Sequence, residues 1–173
     1  MTSPAPGAVF DCVVFVQALA NRKGPAFACK QLVDTGRVAL FLSPQIIAEL
    51  TEVLSRPKLQ KKFATLTADN VEAFLTDLAS KAVSLSTVPT VFSYPRDTKD
   101  EPCVNLALAC GAGYLVTWDK DLLDLMKQTS AEGKLFRQRF PNLAILNPVA
   151  FLQEMQQREQ SCEDPPAPDA FHR

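Results

Sequence analysis

A chain of 173 residues with 47% hydrophobic and 21% charged side chains can bury one sizeable core, which excludes a disordered or fibrous protein. A formal net charge of −1 excludes a strong overall field for polyanions, so any nucleic-acid contact has to come from local basic patches. The one histidine, His172, falls in a tail rich in Pro, Asp and Glu, which excludes Ser-His-Asp and Cys-His catalysis inside the core.

In chain order, Ala8-Val9-Phe10 reads as a buried strand ending at Asp11, followed by an apolar helix through Leu19. Asn21-Arg22-Lys23-Gly24-Pro25 is a loop by its turn residues. Ala26 to Thr35 is expected to be helical, with Gly36 as its stop. Val38 to Leu42 is a second strand, and Ser43-Pro44 opens a helix with an N-cap and a proline at its first position. Ile46, Ile47, Leu50, Val53 and Leu54 recur at helical spacing until Pro57. Thr67 caps a further helix with Val71, Phe74, Leu75, Leu78 and Ala82 on one face.

Val83 to Phe92 alternates apolar and polar residues and is expected to be a strand entering a polar loop, SYPRDTKDE. Asp100 is expected to cap a helix with Pro102 in its first turn and Gly111 as its stop. Tyr114 to Trp118 is a strand, Asp119-Lys120-Asp121 a turn and Leu122 to Met126 a short helix. Asn142 to Leu146 is the last strand, and Pro148 opens the final helix. Alternation of strands with helical crossovers implies an α/β fold with a mainly parallel sheet covered on both faces. The expected domain spans residues 8–155, with residues 1–7 and 158–173 as flexible ends.

The five cysteines, Cys12, Cys29, Cys103, Cys110 and Cys162, show no CxxC spacing and are odd in number. They fit free thiols in a reducing compartment better than a secreted scaffold. The N-terminus lacks the basic and long apolar regions of a signal peptide. The apolar stretch Leu106 to Val116 falls short of the roughly 20 residues that a membrane span needs. A soluble, cytoplasmic protein with no membrane partner is the expectation.

In open α/β sheets, sites form beyond the carboxyl ends of the strands. Asp11 and Asp119 fall at that edge, Asp100 starts a helix on the same side, and Glu49 lies about one and a half turns into the Ser43-Pro44 helix. Each alone has an ordinary structural explanation: Asp100 as a cap, Asp119 as a turn residue, Glu49 as a solvated face. Asp11 is different, because a carboxylate straight after a buried strand is costly without a partner. Together the four would repel one another unless a hard divalent cation, Mg²⁺ or Mn²⁺, sits among them.

Four stretches now carry a resemblance: VFDCVVFVQAL at 9–19, LSPQIIAELTEVLSRPKL at 42–59, RDTKDEPCVNLALACGAGYLVTWDKDLL at 96–123 and FPNLAILNPVAFL at 140–152. The chain resembles the PIN-domain nucleases, in the branch described as toxin components of toxin–antitoxin systems. The resemblance implies a PIN-like α/β/α sandwich and a Mg²⁺- or Mn²⁺-dependent endoribonuclease. It assigns Asp11, Glu49, Asp100 and Asp119 as the catalytic and metal-holding acids, Glu49 being the weakest member. Asp97 and Asp121 match flanking acidic positions, and Thr117 matches a supporting hydroxyl. It further implies a small antitoxin protein as partner and a homodimer. One departure stands out. The family carries Asn or Ser two residues after its first Asp, where this chain has Val13, which removes an orienting hydrogen bond.

RNA at an acidic site requires flanking cations. Arg96 and Lys99 beside Asp100 are the best candidates, ahead of Arg56, Lys58, Lys61, Lys62, Lys134, Arg137 and Arg139. Phe136 and Phe140 are expected in the core rather than as base-stacking platforms. Two other functions compete. Phosphoryl transfer to a small molecule ranks low, since there is no GxxxxGK[ST] loop. A PIN-like binding or scaffold module, acting through a protein or RNA partner, takes its weight from Val13.

Overall fold

A computed structural model describes residues 3–163 of the chain. Among these residues a five-stranded, wholly parallel sheet has the order β3-β2-β1-β4-β5. The strands are β1 (Gly7–Phe10), β2 (Ala39–Leu42), β3 (Val83–Ser84), β4 (Tyr114–Val116) and β5 (Ala144–Leu146). The helices between them are α1 (Cys12–Ala20), α2 (Pro25–Asp34), α3 (Pro44–Leu54), α4 (Pro57–Lys62), α5 (Ala68–Lys81), α6 (Glu101–Cys110), α7 (Lys120–Asp124) and α8 (Ala131–Arg139). A last helix, α9 (Pro148–Glu163), follows β5. The result is the α/β/α sandwich implied by alternating strands and helices.

Short apolar strands form because both of their faces are covered. Ala8, Val9 and Phe10 of β1 and all of β4 are buried, the pattern of a parallel sheet between helix layers. Helix α6 packs across β2, β1 and β4, α9 packs on β5 and α2, and α1 packs on α2 and α3. Phe10 and Tyr114 both meet Phe151 of α9 edge-on. Ser43 caps α3 through Ile46 N at 3.3 Å, and Pro44 follows it. Gly111 ends α6 at φ 63°, a left-handed conformation that glycine adopts without steric cost.

Several elements depart from the sequence expectation. The strand expected over Val83 to Phe92 is paired only at Val83 and Ser84. From there to Asp100 the chain is irregular, held by α6 side chains instead of a ladder. Asn105, buried in α6, accepts Val91 N at 2.9 Å and Phe92 N at 2.7 Å and donates to Phe92 O at 2.9 Å. Helices α4 and α8 were not anticipated, and α7 starts at Lys120 rather than Leu122. Helix α9 runs to Glu163, so 158–163, expected to be flexible, are helical. His172 lies outside the described residues.

Candidate metal centre

The sheet order reverses beside β1: the chain first builds outward through β2 and β3, then returns to place β4 on the other side. This switch opens a crevice at the carboxyl ends of β1 and β4, where α/β sheets bind ligands. Asp11 directly follows β1, and its amide bonds Val116 O of β4 at 2.9 Å. Thr117 and Asp119 follow β4. Thr117 is fully buried. Its hydroxyl donates to Asp11 Oδ2 at 2.9 Å and accepts Asp119 N at 3.0 Å, so one side chain ties the two strand ends together.

Asp97, Asp100 and Asp119 each offer a carboxylate oxygen within 4.8 Å of the others. Asp119 spends Oδ1 on the start of α7, accepting Asp121 N at 2.8 Å and Leu122 N at 3.2 Å. Asp97 is set by a tight turn: its amide donates to Tyr94 O at 3.1 Å, and its Oδ1 accepts Lys99 N at 3.0 Å. Asp100 was expected to cap α6. It occupies that position, but its backbone is already α-helical and its side chain makes no capping bond. Its Oδ2 is buried without a hydrogen-bond partner, the one such side-chain atom among the described residues.

The electrostatics explain why these positions are costly. Burial, then the charges of Asp119, Asp97, Asp11 and Asp121, push the Asp100 carboxyl up to about 7. Asp11 is raised mainly by burial, against the lowering effect of the Thr117 bond. Glu49, exposed on α3, is raised by burial and by Asp11, with Arg56 and Lys99 opposing. Glu49 therefore feels the cluster without belonging to the close trio. Cys12 and Cys103 lie near enough to sense these acids, and burial pushes Cys12 up to about 12 and Cys103 also up. Burial thus favours the neutral thiol at both positions.

A hard cation fits this set. The donors are carboxylate oxygens, as Mg²⁺ and Mn²⁺ prefer, and the bare Asp100 Oδ2 is the kind of buried acceptor that otherwise carries a desolvation cost. A match to the PIN-domain family model covers residues 7–121. The chain belongs to the PIN-domain family. That fold is of nuclease type. The chain is also 28% identical over 148 residues to an uncharacterized protein of Methanocaldococcus jannaschii, covering 86% of this chain and 90% of that relative.

Of the acids singled out in the sequence, this PIN domain brings Asp100 and Asp119 together and sets Asp11 beside them through Thr117. Asp97, expected as a flanking acid, stands inside the trio, while Asp121 points its backbone at Asp119 and its side chain toward Arg96 at 3.9 Å. Sequence reasoning overlooked Asn105 and Glu101, which hold the loop carrying Asp97; Glu101 Oε1 accepts Tyr94 N at 2.7 Å. The available signal was an Asn in the otherwise apolar stretch PCVNLALA. Among the described residues, no helix is long and apolar enough to cross a membrane.

Proposed function

We propose that this PIN domain is a Mg²⁺- or Mn²⁺-dependent endoribonuclease that hydrolyses RNA phosphodiesters. The convergence of Asp97, Asp100 and Asp119 around the unpartnered Asp100 Oδ2 carries this assignment. A divalent ion bound there supplies positive charge to the phosphate and acidifies water. Asp97, Asp100 and Asp119 hold the ion, and Asp11, oriented by Thr117, completes the acidic wall. Glu49, whose carboxyl is raised by burial and by the charge of Asp11, orients the attacking water and receives its proton. Arg96 and Lys99, exposed beside the trio, pair with flanking phosphates.

The family resemblance extends the proposal to a cytoplasmic toxin, homodimeric and silenced by a small antitoxin that covers the crevice. Co-purification and light scattering test those partners. A second reading, a PIN-like module that binds a protein or RNA without cutting, draws on Val13. That side chain is 48% exposed two residues after Asp11 and offers no hydrogen bond.

The deciding experiment incubates a panel of RNAs with the protein and Mg²⁺ or Mn²⁺. Cleavage is expected in the wild type, and its loss in excess EDTA, in Asp11→Asn and in Asp119→Asn, with circular dichroism unchanged. Undiminished cleavage in EDTA or in either variant contradicts the proposal.

A further inference from the structure

Beside Arg96 lies a cleft of about 280 Å³, walled by Phe92, Tyr94, Leu125, Leu135, Phe136 and Phe140, with Arg96, Arg139 and Glu132 as its charged lining. The size suits a single flat ring system better than a larger ligand. Phe92 and Tyr94 are stacked, their centroids 5.7 Å apart and their planes at 27°. Phe136 and Phe140 meet Phe92 edge-on at 86° and 78°. Phe92, Tyr94 and Phe136 belong to the buried core, as expected for Phe136, whereas Phe140 is half-buried and Leu135 of α8 is 66% exposed, so the cluster reaches the surface through these two side chains.

Cations border this apolar cleft. Arg139 lies over the Phe140 ring at 5.0 Å and donates to Val91 O at 3.3 Å, a fixed guanidinium at the wall. Arg96 lies against the Tyr94 hydroxyl, and its acidic neighbours Asp121 and Glu132 stand 3.9 Å and 3.6 Å away, too far for good hydrogen bonds, so its charge is available to an incoming anion. A second hollow of about 210 Å³ shares Tyr94, Arg96, Leu125 and Glu132 with the first and continues to Asp121. The two hollows therefore meet at Arg96 and Glu132, and the second continues to Asp121 and Asp124. Tyr94 and Asp97 are also bonded through their backbones at 3.1 Å, so the cleft and the acidic trio are built on one turn.

We propose that this cleft is a nucleobase subsite, which takes one unstacked base of a single-stranded RNA next to the phosphate at the acidic trio. The inference rests on the ribonuclease assignment and names how that site holds its substrate. Aromatic and apolar walls give stacking without a sequence code, and Arg96 and Arg139 match the backbone charge. An apolar peptide in the same cleft would leave the Arg139 guanidinium, which has no acidic partner among the described residues, without an anion. A duplex cannot deliver a base into it without unpairing, so single strands are preferred.

The test measures binding of a short oligouridylate to Asp100→Asn protein, and crosslinks the same oligomer carrying 4-thiouridine. The expected crosslinks fall within 92–96 or 135–140. Adding Leu135→Ser or Phe140→Ala weakens binding roughly tenfold. Leu135→Ser leaves the melting temperature unchanged because Leu135 is exposed, so a fold defect in Phe140→Ala does not blur the result. Crosslinks elsewhere, or unchanged binding in both variants, overturn the subsite; unchanged RNA binding is also what a protein-docking cleft would give. Cleavage by the wild type is assayed in parallel. Cleavage that persists with no effect at the cleft removes the subsite alone, whereas absence of both binding and cleavage removes the ribonuclease assignment with it.

Discussion

Asp100 sits where its own fold makes ionisation unfavourable, and that has a pH signature. Its carboxyl is raised to about 7 by burial and by the neighbouring acids, against an unfolded value near 4. Between these values the folded chain keeps a proton that the unfolded chain has released, so stability falls as pH rises from about 4 to about 7. Asp11 and Glu49, also raised, add to the same trend. Without metal, the melting temperature is expected to drop across this window; saturating Mn²⁺ or Asp100→Asn removes much of the drop. A melting temperature that rises through the same window contradicts the assigned shifts. Thr117 acts on two acids at once, so Thr117→Val is expected to lower Mn²⁺ affinity and RNA cleavage about 10- to 100-fold with the fold retained. Thr117→Ser, which keeps the hydroxyl, is expected to restore both in titration and cleavage assays.

Helix α6 does more than cover the sheet. Its Asn105 and Glu101 replace strand pairing for the segment that leads into Asp97. Asn105→Ala leaves the Val91 and Phe92 backbone groups without partners and is expected to cost about 3 kcal/mol in urea unfolding. Cleavage is expected to fall as well, because Asp97 loses its support. This arrangement also explains which elements were legible in the sequence. Ser43-Pro44 and the Gly111 stop are local signals, and α3 and α6 fall where those residues place them. Val83 to Phe92 alternates like a strand, but its pairing is decided by a side chain from a distant helix. Helix α8 was hidden by Gly133, by its charged residues and by the absence of a clean apolar stripe. Gly133 is there because a Cβ would collide with the Lys127 carbonyl, a tertiary reason that no local pattern carries.

At the scale of the whole molecule, the strand order β3-β2-β1-β4-β5 is what gathers acids more than a hundred residues apart. Asp11 and Asp119 could be placed from the sequence because each follows an apolar strand, Asp11 directly and Asp119 three residues after β4, and the switch between β1 and β4 makes them neighbours. Asp97 could not be ranked this way, since its place depends on how the irregular loop folds back on α6. The resulting site is a trio with Asp11 alongside, and its members stand at the confluence of both halves of the sheet. The most direct measurement is a Mn²⁺ titration of the wild type, Asp97→Asn and Asp100→Asn, followed by calorimetry in EDTA-treated protein. Saturable binding in the wild type, lost in Asp100→Asn and weakened at least tenfold in Asp97→Asn, is the predicted result. Equal binding in all three proteins would contradict the metal centre described here.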